Sequence, residues 1–136
     1  MFEVLFFSLF FLLVYLFYPQ KSVYAKISLG HTSRKYHVKV LKRQIDKMIG
    51  LLNHSELGEH SGVVLKNCKK IHTRNMSFAI DAIGVDQSDM VVEWVENLEP
   101  GRIHKFSKRV KNVVELRAGT VQRHSIQPRT LLRFEN

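Results

Sequence analysis

Cysteine is nearly absent: Cys68 is the only one in 136 residues. An intramolecular disulfide framework, a CxxC redox pair and a multi-cysteine zinc site are therefore excluded. The seven histidines (His31, His37, His54, His60, His72, His104 and His124) show neither H-x-H nor H-E-x-x-H spacing, which argues against a metal site built from them. No G-x-S-x-G elbow, glycine-rich phosphate loop or dinucleotide fingerprint occurs. No cofactor is expected. Acidic residues are also scarce, 12 Asp and Glu against 21 Lys and Arg, for a net charge of +9. Glu3 and Lys21 cancel, so the whole excess falls in residues 26–136. A domain this basic attracts polyanions such as nucleic acid, anionic lipid or acidic protein. The plain alternative is a solvated basic surface.

What the chain does have is an apolar run at its N-terminus, "MFEVLFFSLFFLLVYLFYPQKSVYAK". Val4–Tyr18 carries no charge, and Pro19 ends it. As a helix rising ~1.5 Å per residue it reaches ~22 Å, short of the ~30 Å hydrocarbon core. That length fits the apolar region of a signal peptide, and Val23 and Ala25 fit an A-x-A-like site with cleavage before Lys26. Two features favour a retained anchor instead. Glu3 stands where a signal peptide has Lys or Arg, and Lys21, Lys26, Arg34 and Lys35 all follow the run. If retained, the positive-inside rule keeps the domain on the cytosolic side. Either reading of residues 1–25 puts the protein at or across a membrane, so it is expected to be exported or membrane-anchored.

Residues 26–35, with Ser28, Gly30, Thr32 and Ser33 and no clear period, read as a linker. Residues 36–136 read as one β-rich domain. In Tyr36–Leu41, Tyr36, Val38 and Val40 alternate with His37 and Lys39, the pattern of a half-buried strand. Ile45, Met48, Ile49 and Leu52 predict a short amphipathic helix. "GVVLKNCKKIHT" reads as strand, turn at Lys66–Asn67, strand. "FAIDAIGVD" and "MVVEWVEN" read as a hairpin joined by Asp86–Asp89. "LEPGRIHKFSKR" reads as a loop on its Pro100-Gly101. "VKNVVELR" is a strand, Ala118–His124 a short helix with Thr120 as its cap, and "TLLRF" a last strand. The expected fold class is α+β: a small antiparallel, partly barrel-like sheet with one or two short helices, preceded by an N-terminal hydrophobic helix.

"IHTRNMSFAIDAIGVDQSDMVVEWVENLEP" resembles the central signature of the bacterial and archaeal family called domain of unknown function 192. The residues that carry the likeness are His72, Thr73, Met76, Ile80 and Asp81, with a hairpin turn at Asp86–Asp89. Gly50-Leu51-Leu52 is similar to the family's Gly-Leu-Met helix end. "VVELRAGTV" is similar to its Leu-Glu-Leu-x-Ala-Gly segment, and "IQPRTLL" to its closing turn. The likeness covers Tyr36–Phe134. Three positions depart from the pattern: Asp89 stands for Gly, Arg129-Thr130 for Gly-Asp, and Leu52 for Met. The resemblance implies a small β-rich fold with one or two helices, often behind an export or anchor segment. It implies no activity.

Three polar residues sit in apolar surroundings. Asp81 shares a strand face with Ala79, Ile83 and Val85. A carboxylate there is costly unless hydrogen-bonded, so its first expected role is to tie down loop or turn N–H groups. Its second is as an acid or ligand-binding group. Glu115 lies between Val114 and Leu116, within reach of Asp81 if the strands align, and with His72 the two carboxylates would form a small enzyme or ligand-binding site. Cys68 and His72 make a C-x₃-H pair, but along a strand they stand ~13 Å apart, too far to share a proton or metal. The basic residues cluster in "KNCKKIHTR" and "HKFSKRVK", with Lys105, Lys108, Arg109 and Lys111 on the second. Only Phe106 is interleaved with that charge, which disfavours nucleic acid. The favoured expectation is a non-enzymatic binding or assembly module that meets an anionic envelope component or an acidic protein. The alternative is a small enzyme using His72, Asp81 and Glu115.

Overall fold

The computed structural model describes residues 22–31, 34–42, 51 and 55–135, together with Leu9 and Leu13. The hydrophobic N-terminal helix and the amphipathic helix around Ile45–Leu52 were expected on segments that lie outside those residues. Among the described residues from 22 onward, nine strands and one short helix follow in order. They are β1 (Val23–Leu29), β2 (Lys35–Leu41), β3 (Ser61–Leu65), β4 (Lys70–His72), β5 (Ile80–Val85), β6 (Val91–Leu98), β7 (Ile103–Lys105), β8 (Asn112–Arg117), α1 (Thr120–Arg123) and β9 (Leu132–Glu135).

Seven strands form one sheet in the order β6-β5-β8-β3-β2-β1-β9, and β4 and β7 form a separate two-stranded ladder. The expected α+β fold with an antiparallel sheet is instead mostly β with a mixed sheet: all neighbouring pairs are antiparallel except β2 and β3, which run parallel because the chain crosses over between them. The sheet curls into a half-barrel. Its two edges meet at one corner, where Met90 bridges Leu131. There Arg129 N–H donates to the Val91 carbonyl, and Leu132 N–H to that of Asp89. Every strand of the large sheet contributes to the inner core, through residues such as Ile27, Tyr36, Val64, Ile83, Val91, Val114 and Leu132. The outer face carries a second core, in which Val63, Ala82 and Val113 are covered by Ile71, Met76, Phe106 and Val110. Two apolar faces explain why β5 and β8 are buried almost end to end.

Three further expectations need correction. The segment read as a linker begins inside β1, which pairs with both β2 and β9. Val23, Ala25, Ile27 and Leu29 do alternate, and Ile27 and Leu29 are fully buried. The polar residues between and after them hid that period. The segment read as a loop holds β7, three residues long, which exists only by pairing with β4. Helix α1 is capped by Gly119 rather than Thr120, whose hydroxyl donates to the Arg117 carbonyl instead.

Candidate functional site

The signature residues resolve into separate structural tasks. Thr73 is fully buried. Its hydroxyl donates to the Glu99 carbonyl and accepts from Arg102 N–H, so it clasps the Pro100-Gly101 turn. Met76 packs in the outer core. Asp81 is fully buried on β5 and accepts two backbone N–H bonds, one per oxygen: Asn97 to Oδ1 and Val121 to Oδ2, both at 2.9 Å. Asn97 sits in a left-handed conformation (φ 50°). It lies where β6 slips register against Ile80–Ala82, the two-against-one geometry of a bulge. Val121 lies in the first turn of α1, whose N–H groups have no partner within the helix. One carboxylate therefore pins a bulge and caps a helix from another strand, which is the tie-down role expected of it.

Asp81 and Glu115 do not converge. Asp81 is opposite Leu116, and Glu115 is opposite Ala82. Facing residues of an antiparallel pair share a face, and successive residues alternate. Asp81 therefore points into the inner core and Glu115 into the outer one. Glu115 is 5% exposed, with Val63 and Ala82 as its cross-strand neighbours. No hydrogen bond or ion pair reaches its carboxyl among the described residues. Burial pushes its pKa up to about 7, because no charge or donor offsets the loss of water. The third candidate, His72, is exposed on β4. The geometry thus places the three side chains in three environments. Cys68 is half-buried, and its thiol donates to the Lys70 carbonyl.

His72 instead joins the basic residues. In the β4–β7 ladder Lys70 faces Lys105 and His72 faces Ile103. All four are exposed, while Ile71 between them is buried. Phe106 N–H donates to the Lys69 carbonyl, and Lys111 takes the Cys68 N–H on its own carbonyl. The two basic stretches, separate in sequence, thereby form one surface of Lys69, Lys70, Lys105, Lys108, Arg109 and Lys111. Phe106 and Val110 press its loop onto Gly84, where a side chain would not fit. Glu93 supplies an acid at its border, accepting from Ser107 N–H. None of the six cations has an ion pair among the described residues. Ile103, 55% exposed, stands within this charge.

A second polar group gave no sequence signal. Tyr36 of β2 is 1% exposed, and its hydroxyl is hydrogen-bonded to Nε2 of His124. The His124 ring lies edge-on to Tyr36 at 5.8 Å, and that of His60 is tilted against it at 6.0 Å. Burial raises the Tyr36 pKa and lowers that of His124. Both shifts favour the neutral forms, and the hydrogen bond joins the phenol to the imidazole. Residues 88 apart in the chain meet here.

The family model of domain of unknown function 192 (DUF192, uncharacterized ACR) matches residues 25–134. The chain belongs to this family. The match runs from within β1 to within β9, so the family unit is the whole curled sheet with its ladder. No curated protein matches the chain. Two solved structures are similar. A candidate transcription regulator from Sinorhizobium meliloti 1021 superimposes with a TM-score of 0.76 at 19% identity, over 85% of this chain and 96% of that one. A protein of unknown function from Novosphingobium aromaticivorans DSM 12444 gives 0.72 at 17% identity, over 84% and 93%. At such identities these likenesses show the fold alone. Two departures from the family's residue pattern meet at the corner where the sheet closes. Asp89 (φ 60°) and Arg129 (φ 68°) both adopt left-handed backbone, which glycine accepts at least cost.

Proposed function

We propose that this family member is a binding module of the cell envelope whose β4–β7 ladder lies against anionic lipid headgroups. The observation that carries the reading is the convergence of two basic stretches into one surface, whose cations have no ion pair among the described residues, around the exposed Ile103. Clustered lysines are drawn to an anionic membrane surface with about 1 kcal/mol each. An isoleucine among them suits the boundary between headgroup and acyl chain better than it suits a nucleic-acid backbone.

The apolar N-terminal segment belongs to the same reading, as a signal peptide or an anchor that brings the domain to the membrane. Cleavage before Lys26 would remove only exposed or half-buried residues of β1 and leave Ile27, Ser28 and Leu29 in the core. Mass spectrometry after cell fractionation distinguishes the two forms: a chain starting at Lys26 in the soluble envelope fraction supports export, and an intact chain in the membrane fraction supports anchoring.

Lysine acetylation of the full chain, reconstituted in vesicles, tests the surface. Lys70, Lys105, Lys108 and Lys111 should be protected in phosphatidylglycerol and reactive in phosphatidylcholine. Equal reactivity in the two lipids refutes the assignment. A small enzyme built on His72, Asp81 and Glu115 is not favoured, since their side chains lie in separate surroundings.

A further inference from the structure

The Tyr36 group lies at the opposite end of β3 and β8 from the ladder. His60 directly precedes β3, Arg117 ends β8, and His124 follows α1. Arg34 precedes β2 and acts electrostatically on both Tyr36 and His124, as Arg123 does. One acid faces these cations. Glu59 holds Arg117 and Arg123 each at 4.0 Å, with all three side chains 40–56% exposed. Both pairs are stretched, and neither is a bidentate fork. Arg34 has no ion pair among the described residues. Three guanidinium groups against one carboxylate leave two positive charges beside two imidazoles.

We propose that Arg34, His60, Arg123 and His124 form a binding site for a phosphate group, inorganic or carried by a small molecule. A surplus of two positive charges matches a phosphate dianion, and guanidinium forks match its oxygens. Tyr36 is the positioning residue. Its hydroxyl is hydrogen-bonded to Nε2 of His124, which leaves Nδ1 of that ring for another partner. The buried phenol ring also fixes where both imidazoles stand.

The test is NMR of the histidine rings in the full chain, kept in a non-ionic detergent, with inorganic phosphate added at constant ionic strength against sodium chloride. Phosphate should move the His60 and His124 signals together and saturably. Arg34→Gln and Arg123→Gln, both at exposed positions, should each weaken binding roughly tenfold, the loss of one charge-assisted hydrogen bond. Lys105→Gln with Lys108→Gln should leave the affinity unchanged. The proposal is overturned if the signals do not saturate at millimolar phosphate. It is equally overturned if both arginine variants bind as the wild type does, or if the lysine variant loses the effect.

Discussion

Asp81 and Glu115 stand on adjacent strands, one register step apart, and both are buried. Their situations are opposite. Asp81 meets two backbone N–H groups that need an acceptor, one at a bulge and one at a helix start. Glu115 meets valine and alanine and is driven toward its protonated form. Burial alone therefore does not tell what a carboxylate does. The donors around it decide whether it is a structural tie or a stored proton.

The strongest way to break this contrast is Asp81→Ala. It leaves the Asn97 and Val121 N–H groups without their acceptor, at about 1–3 kcal/mol for each. The expected loss is roughly 3–5 kcal/mol in urea unfolding at pH 7. A loss below about 1 kcal/mol, the ordinary cost of a point substitution, would put Asp81 in the same class as Glu115.

Glu115 should reveal itself through pH. Its folded-state pKa of about 7 lies above the ordinary 4.5, so the native state binds the proton more tightly than the unfolded chain. Its contribution is fully present below about pH 4.5, falls as pH rises toward 7, and is flat above. The difference amounts to about 3 kcal/mol. Glu115→Gln removes this dependence, so the variant should exceed wild type in stability at pH 8 and not at pH 5. Parallel stability curves for the two proteins would mean that Glu115 is not desolvated.

Gly84 lies on the Glu115 face. An added Cβ would stand 2.7 Å from Val110 and 3.0 Å from Phe106. Gly84→Ala is expected to cost about 1–3 kcal/mol by overpacking. It should also loosen the basic loop, read as faster amide exchange in residues 106–111. Asp81→Ala, acting on the other face, should spare that loop.

The smallest effect sharpens the Asp81 side. Asn97→Gly keeps the N–H that Asp81 accepts and suits the positive φ, so stability should change by no more than about 0.5 kcal/mol. A loss above about 1 kcal/mol would show that the Asn97 side chain, not its backbone, matters.

Much of the fold was legible because its causes are local. Tyr36, Val38 and Val40 alternate across β2. Lys66–Asn67 turns the chain, with Asn67 in left-handed backbone. Asp86 closes the hairpin by accepting from Ser88 and Met90 N–H. The missed strands were obscured for opposite reasons. In β1 the alternation exists, but the polar residues around it read as a linker. In β7 three residues carry no period, and pairing with β4 alone makes them a strand. The role of Asp81 as a tie was legible from a carboxylate among apolar neighbours. Its partners were not, lying 16 and 40 residues further along the chain.

By itself the sequence determined the family, a β-rich curled sheet, the positive excess and the need of Asp81 for donors. These follow from residue order, side-chain chemistry and short-range periodicity. The tertiary structure alone decided which residues meet. Register parity sends Asp81 and Glu115 to opposite faces, the β4–β7 ladder joins two basic stretches and takes His72 with them, and the curl of the sheet sets His60 and His124 against Tyr36. Each depends on pairing between distant segments, which no local pattern encodes.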